Sequence, residues 1–372
     1  MTLNEQQSQA AYADLDQHIL IIAGAGTGKT RTLVERYRYL LKNGISKREI
    51  LVTTYTKKAK KEVEERISED IEIKERRYLE IYTNHQFCRN IIASYEDFEE
   101  LPDIVEENLV RKFSKEEYPN LDIIKTACYV LEKNNHLQEN HLKIYKYLLF
   151  DEYQDIDPYT YQILTKFLNL GGKIVVVGDP NQSIYEFRGT VPKPFEDFAK
   201  DFSHFLIKMN LNYRSTPDII KFANKLISHN HQGQFKNFLI PFSTSEEKVE
   251  MVFAKSKTEM DEFLVEKLKE IQREKPQDTI AILFRTNQTS KDLKRLLEKK
   301  EIYVNDIEIE DLKDRIMEIN LPEHLKELFF SLFSICMRSE IIKESVRECL
   351  EILDKSEILQ GYRIKQPKDI NF

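Results

Sequence analysis

Short apolar runs alternate with segments of helical period along most of the chain. His18–Ile22 is the first such run. A glycine-rich loop follows, and then Thr30–Leu41, where Leu33, Val34, Tyr37, Leu40 and Leu41 fall on one face at helical spacing. Asn43-Gly44 supplies the helix stop. Ile50–Thr53 predicts a short strand and Thr56–Ile67 a highly charged helix. Further strands are expected at Tyr147–Phe150, Ile174–Val177, Phe205–Met209, Val249–Ala254 and Thr279–Phe284. Pro217 sits where a first helical residue belongs, ahead of Ile219, Ile220, Phe222, Ala223 and Leu226. Alternation of this kind specifies an α/β fold, with parallel sheets and helices on both faces.

The strand signal stops between about Arg89 and Tyr145. That segment is helical in pattern and opens with an acidic stretch (Glu96, Asp97, Glu99, Glu100, Asp103, Glu106, Glu107), as expected of an insertion within the first α/β unit. From about Glu310 the pattern is again only helical, with Leu328–Met337 strongly apolar. The expected organisation is a first α/β domain over 1–88 and 146–209 and a helical insertion over 89–145. A partial second α/β domain over 210–300 and a helical tail over 301–372 complete it.

Composition narrows this little. A chain of 372 residues has room for two or three such units. With 11 prolines and 10 glycines, no region reads as a low-complexity linker. The N-terminus, Met1 to Gln7, has neither a basic start nor an apolar stretch, and no apolar run is long enough to cross a membrane. A cytoplasmic protein without a membrane partner is expected. Cys88, Cys128, Cys336 and Cys349 are scattered without a C-x-x-C, which argues against a disulfide frame or a zinc site. His229-Asn230-His231 lacks a third ligand at metal spacing and reads as a polar helix end. The net charge of −7 excludes coating of nucleic acid by bulk attraction but leaves room for a local groove.

Chemistry concentrates at Ala23-Gly24-Ala25-Gly26-Thr27-Gly28-Lys29-Thr30, between a strand and a helix. Glycines let backbone N–H groups curl around phosphate oxygens, and the helix N-terminus favours the anion. Lys29 would reach the β- and γ-phosphates of ATP, and the Thr30 hydroxyl would bind Mg2+. Phe150-Asp151-Glu152-Tyr153-Gln154-Asp155 closes the apolar run at Tyr147–Phe150. An acid at the end of a buried strand is costly unless it meets a cation. Asp151 suits the magnesium, and Glu152 suits the orientation and deprotonation of an attacking water. Gln182, just past Ile174–Val177, is placed to sense the γ-phosphate.

Taken together, these stretches resemble superfamily 1 DNA helicases of the UvrD/Rep/PcrA group. Leu3-Asn4 with Gln7 and Ala10 resembles the adenine-reading Q motif, and Ala23–Thr30 followed by Arg31 resembles the first helicase motif. Val52–Ala59 and Thr83-Asn84-His85 resemble DNA-contacting segments. Asp151–Asp155 and Gly178–Gly189 resemble the Walker B and sensor motifs, and Asn212–Thr216 the opening of a second RecA-like domain. Ile282–Asn287 is a weaker match. The resemblance implies RecA-like domains around a P-loop NTPase site, with ATP and Mg2+. It implies that Gln7 bonds adenine, that Arg31 and Tyr213 sandwich its ring, and that Arg214 reaches the γ-phosphate as an arginine finger. Tyr55, Tyr185 and Phe187 would stack on bases of single-stranded DNA, with Lys57, Thr83, His85 and Arg188 contacting the strand beside them.

Two stretches of the family pattern are missing after Asn287: T-x-H-x-x-K-G-L-E and V-x-x-T-R-A. Only the first half of the second RecA-like domain is therefore expected, and a protein partner could complete it. Three readings stay open: an ATP-driven 3′-to-5′ translocase or helicase, a non-motor ATP-dependent DNA-binding module of a repair or anti-phage complex, and a nucleotide-binding remnant.

Overall fold

In the computed structural model, which describes residues 2–69, 71–95, 120–183, 190–229, 234–284, 286–300 and 302, the apolar run at His18–Ile22 forms the first strand. Strand β1 (His18–Ala23) is buried at every position but its first. It lies between β5 (Lys173–Gly178) and β6 (His204–Met209), parallel to both. With β2 (Ile50–Thr54), β3 (Glu80–Thr83) and β4 (Tyr147–Phe150), these form a six-stranded parallel sheet of order β3-β2-β4-β5-β1-β6.

Successive side chains of a strand point to opposite faces, so each strand contributes to two cores. Leu20 and Ile22 of β1 join one cluster, with Phe87, Ile91, Ile124, Leu131, Phe167 and Phe198. These come from helices α4 (Asn84–Ala93), α5 (Asn120–Lys133), α6 (Pro158–Asn169) and α7 (Pro194–Asp201). Ile19, Ile21 and Ala23 join the other, with Ala10, Leu33, Val34, Tyr37 and Val63. These come from α1 (Glu5–Ala11), α2 (Lys29–Lys42) and α3 (Lys57–Ser68). Each fully buried aliphatic side chain contributes roughly 1.5–3 kcal/mol, which is why the runs read as continuous apolar stretches.

Local chemistry sets the helix starts. Asn4 and Gln7 form a capping box at α1, Thr56 caps α3, and Thr83 with Gln86 boxes α4. Asp157 caps α6 ahead of Pro158. Pro217 opens α8 (Pro217–Ile227), as the sequence leads one to expect. Arg36 of α2 is almost fully buried and donates to the carbonyls of Ala11, Ala13 and Asp14, tying the end of α1 to α2.

The division between two compact units falls after Glu250. Residues 210–250 thus pack within the first unit. They hold α8 and a two-stranded parallel sheet of β7 (Leu211–Asn212) and β8 (Ile240–Pro241). In the second unit, α9 (Lys257–Glu274) and α10 (Asn287–Lys299) pack through Val265, Leu268, Leu293 and Leu297.

Two expected strands do not form. Val249–Ala254 and Thr279–Phe284 have no strand neighbour among the described residues, and Phe253 and Leu283 are 85% and 91% exposed. Apolar content alone does not make a strand, because the ladder needs a second chain segment to bond to. Ile282 and Phe284 instead pack on the helices of the second unit. Conversely, β3 forms at a sheet edge where the sequence offers only Ile81 as a deeply buried apolar side chain. The described residues of 89–145 contain no strand, but α4 begins before Arg89. The acidic stretch after Tyr95 and the tail beyond Ile302 lie outside the described residues.

Candidate active site and nucleic-acid interface

The loop from Gly24 to Gly28 leaves β1 at its carboxyl end and turns into α2. Gly26 and Gly28 have φ values of 68° and 87°, a region where only glycine is unstrained. Thr27 closes the turn on itself, its hydroxyl donating to Gly24 O at 2.8 Å. Space is also limiting: a Cβ on Gly24 would stand 2.3 Å from Leu239 Cδ2, and one on Gly26 2.7 Å from Asn212 Nδ2. Lys29 and Thr30 then occupy the first turn of α2, whose amino end favours an anion.

Strand β4 delivers the acids. Asp151 continues its ladder through a 3.0 Å bond from its N–H to Thr53 O, and its Oδ1 accepts from Glu152 N. Burial, followed by the neighbouring charge of Glu152, pushes the Asp151 carboxyl up to about 7. Glu152 is the non-glycine residue with positive φ among those described, at 54°, a conformation costing about 1–2 kcal/mol. This kink sits where the Glu152 carboxylate meets Lys29, with Nζ 3.0 Å from Oε2. Strain kept beside a buried acid and a cation is a mark of function.

A chain of hydrogen bonds runs on from that carboxylate. Gln154, 3% exposed, donates to Glu152 Oε2 at 2.7 Å and accepts from Asp179 N at 3.0 Å. The Asp179 amide can only donate, so the Gln154 carbonyl must face it and the NH2 must face Glu152. Asp179 Oδ2 in turn accepts from Gln182 Nε2 at 2.7 Å. Gln182 is thereby linked to Glu152, but only through Asp179 and Gln154.

Residues 210–216 dock on the same loop. Asn212 donates to Ala25 O at 2.6 Å, and its Oδ1 accepts from the backbone of Arg214 and Ser215. Tyr213 N donates to Gly26 O at 2.9 Å. Arg214, exposed, is held beside the loop, its Cβ 2.8 Å from where a Gly26 Cβ would be. Gln7 is buried, with Nε2 donating to Thr27 O and Oε1 accepting from Asn4 N. Each bond uses half of what the amide offers, so a second N–H and a second lone pair remain for an adenine edge.

The nucleic-acid candidates meet at one end of the sheet. Thr54 of β2 pairs with Thr83 of β3, so the segments that carry Tyr55 and Lys57, and His85, leave neighbouring strands at the same end. Thr83 itself is buried, with its hydroxyl accepting from Gln86 N as a helix cap. Lys60 of α3 bonds Gln86 of α4 at 3.2 Å, bridging the two segments. Tyr185, Phe187 and Arg188 lie outside the described residues.

Sequence reading assigned no role to Gln154 or Asn212, both buried polar residues whose amides use donor and acceptor at once. A polar residue among acids or before an aromatic gives no sign of which backbone groups it will meet.

The residues present fit magnesium and a triphosphate: a buried acid that gains from a nearby cation, a threonine in the first helical turn, and a lysine over a glycine loop. Among the described residues there is no cluster of three or more His, Cys, Asp or Glu suited to another metal, and no helix long and apolar enough to cross a membrane.

Comparison with known proteins agrees with this geometry. The UvrD/REP helicase N-terminal domain family matches residues 3–117 and 103–203, and the UvrD-like helicase C-terminal domain family matches 207–321. A probable DNA helicase II homolog of Mycoplasma capricolum is 28% identical, over 81% of this chain and 51% of that protein. ATP-dependent DNA helicase Rep of Buchnera aphidicola is 27% identical, over 81% of this chain and 56% of Rep. ATP-dependent DNA helicase PcrA of Staphylococcus epidermidis is 26% identical, over 81% and 50%. The chain spans about half the length of these relatives. With both family domains matched in order, and the phosphate loop, strand-end acids and docked arginine in place, the chain belongs to the UvrD/REP helicase family.

Proposed function

We propose that the chain hydrolyses ATP to drive movement along single-stranded DNA, as a translocase or helicase of 3′-to-5′ direction by family likeness. The observation that supports this best is the convergence of Lys29, Asp151 and Glu152 at the ends of two strands, with Arg214 docked on the same loop. Lys29 and the loop amides bind the β- and γ-phosphates, while Thr30 and Asp151 hold magnesium. Bound magnesium neutralises charge on the phosphate oxygens. Glu152 orients the attacking water and accepts its proton, Gln182 responds to the γ-phosphate, and Arg214 neutralises charge as the bond breaks. Arg31 and Tyr213 stack on the base. Tyr55, with Tyr185 and Phe187, stacks on unpaired DNA bases, and Lys57, Thr83, His85 and Arg188 steady the strand.

Coupling hydrolysis to movement needs two domains that close and reopen. The exposed apolar side chains of Val249–Ala254 and Thr279–Phe284, unpaired among the described residues, favour a partner segment or protein that supplies the neighbouring strands. The same observation supports a second reading, an ATP-dependent DNA-binding module that does no mechanical work.

The test is ATP hydrolysis by the purified chain with and without single-stranded DNA. Strong stimulation is the expected result. ATP-dependent DNA affinity without stimulated turnover would select the second reading, and absence of both would leave a nucleotide-binding remnant.

A further inference from the structure

Tyr213 is held at three points. Its N–H donates to Gly26 O, its hydroxyl accepts from Asn4 Nδ2 at 2.8 Å, and its ring lies 4.9 Å from that of Phe242, tilted by 44°. Each anchor leads back to the phosphate loop. Asn4 is locked to Gln7 in the capping box, and Gln7 donates to Thr27 O. Phe242 N donates to Asn212 O at 2.9 Å, and the Asn212 side chain donates to Ala25 O.

Phe242 itself is 57% exposed, and Tyr213 keeps 36% of its surface open. A phenylalanine so exposed adds little to the core, and its aromatic neighbour is Tyr213. Edge and tilted aromatic pairs are attractive beyond their buried area. A tyrosine free to rotate would lose rotamer entropy on stacking with a ligand, and one already pinned would not.

We infer that Phe242 is a positioning residue for the nucleotide base: with Asn4, it fixes the Tyr213 ring beside the phosphate loop so that a stacked base is read as well as the phosphates. This rests on the proposal that ATP binds at this loop.

The experiment compares two ligands by calorimetry, magnesium–ATP and magnesium–tripolyphosphate, which lacks base and sugar. Wild-type protein should bind ATP more tightly. Phe242→Ala should lose about tenfold in ATP affinity, the scale of one aromatic pair, with tripolyphosphate affinity unchanged. Phe242→Tyr should restore ATP binding, and Tyr213→Phe should show a smaller, ATP-selective loss. Lys29→Ala should weaken both ligands. Equal loss of both ligands in Phe242→Ala, or loss of neither, overturns the inference. Equal wild-type affinity for the two ligands overturns the base platform alone. Wild-type binding of neither overturns the phosphate site, and the inference with it. Thermal melts of each variant exclude unfolding as the cause.

Discussion

The ammonium of Lys29 stands 3.0 Å from Glu152 Oε2, joining the ends of β1 and β4 across the intervening β5. Each group neutralises the other, so a phosphate that engages Lys29 competes with the carboxylate. Glu152→Gln removes that competitor together with the proposed base. This variant should bind ATP at least as tightly as wild type while turnover falls by roughly a hundredfold or more. Lys29→Ala should lose both properties. Titration of a fluorescent ATP analogue beside steady-state hydrolysis separates the two effects, and normal turnover in Glu152→Gln would remove it as the base.

Asp151 predicts a pH dependence. Its carboxyl holds a proton up to about 7 in the folded protein, mainly because it is buried, whereas an unfolded aspartate releases it near about 4. Between those values the folded state binds more protons, so stability falls as pH rises, and the loss is complete above about 7. Asp151→Asn cannot ionise. In magnesium-free buffer it should melt higher than wild type near about pH 8, by an amount worth a few kcal/mol at about 1.4 kcal/mol per tenfold. The gap should close near about pH 4; an equal gap at both would disprove the assignment.

Gln154→Glu keeps an acceptor for Asp179 N and replaces the donor that meets Glu152 with a second carboxylate. Displacing a catalytic group by about 1 Å can cost up to a hundredfold. Turnover should drop on that scale while ATP affinity holds. Unaltered turnover would reduce Gln154 to a packing residue.

Two glycines of similar backbone give a matched comparison. Gly44 has φ 83° and nothing within 4 Å of where a Cβ would stand, so Gly44→Ala should cost only the roughly 1–2 kcal/mol of left-handed strain. Gly26 has φ 68°, and its Cβ would also strike Asn212 and Arg214. Gly26→Ala should therefore show a larger loss in urea unfolding and weakened ATP binding. Equal costs would mean that residues 212–214 yield freely.

Much of this was legible in the sequence because buried parallel strands announce themselves. Ile19–Ile22 and Ile174–Val177 are apolar on both faces, since both faces are covered. The same rule misled at Val249–Ala254, where apolar residues stand exposed, and it passed over β3, a sheet edge in which half-buried Glu80 and Tyr82 flank Ile81. At the site, Lys29, Asp151 and Glu152 could be chosen by residue type and position, because a glycine loop and an acid after an apolar run each carry their own chemistry. Gln154, Asn212 and Phe242 could not. Their roles depend on partners distant in the chain, such as Asp179 N, Ala25 O and the Tyr213 ring.

The place of β1 between β5 and β6 also sets a timetable for synthesis. The strand that launches the phosphate loop leaves the ribosome before the rest of the sheet, yet its two neighbours are the last two strands of that sheet. Pairings so distant in sequence form slowly and leave apolar surface waiting. A nascent chain halted before His204 would carry every residue of the phosphate loop with one flank of β1 still bare. Competence to bind ATP should arise late and abruptly, as Met209 and the residues docked behind it emerge, and a nascent chain stalled earlier should be a client for chaperones.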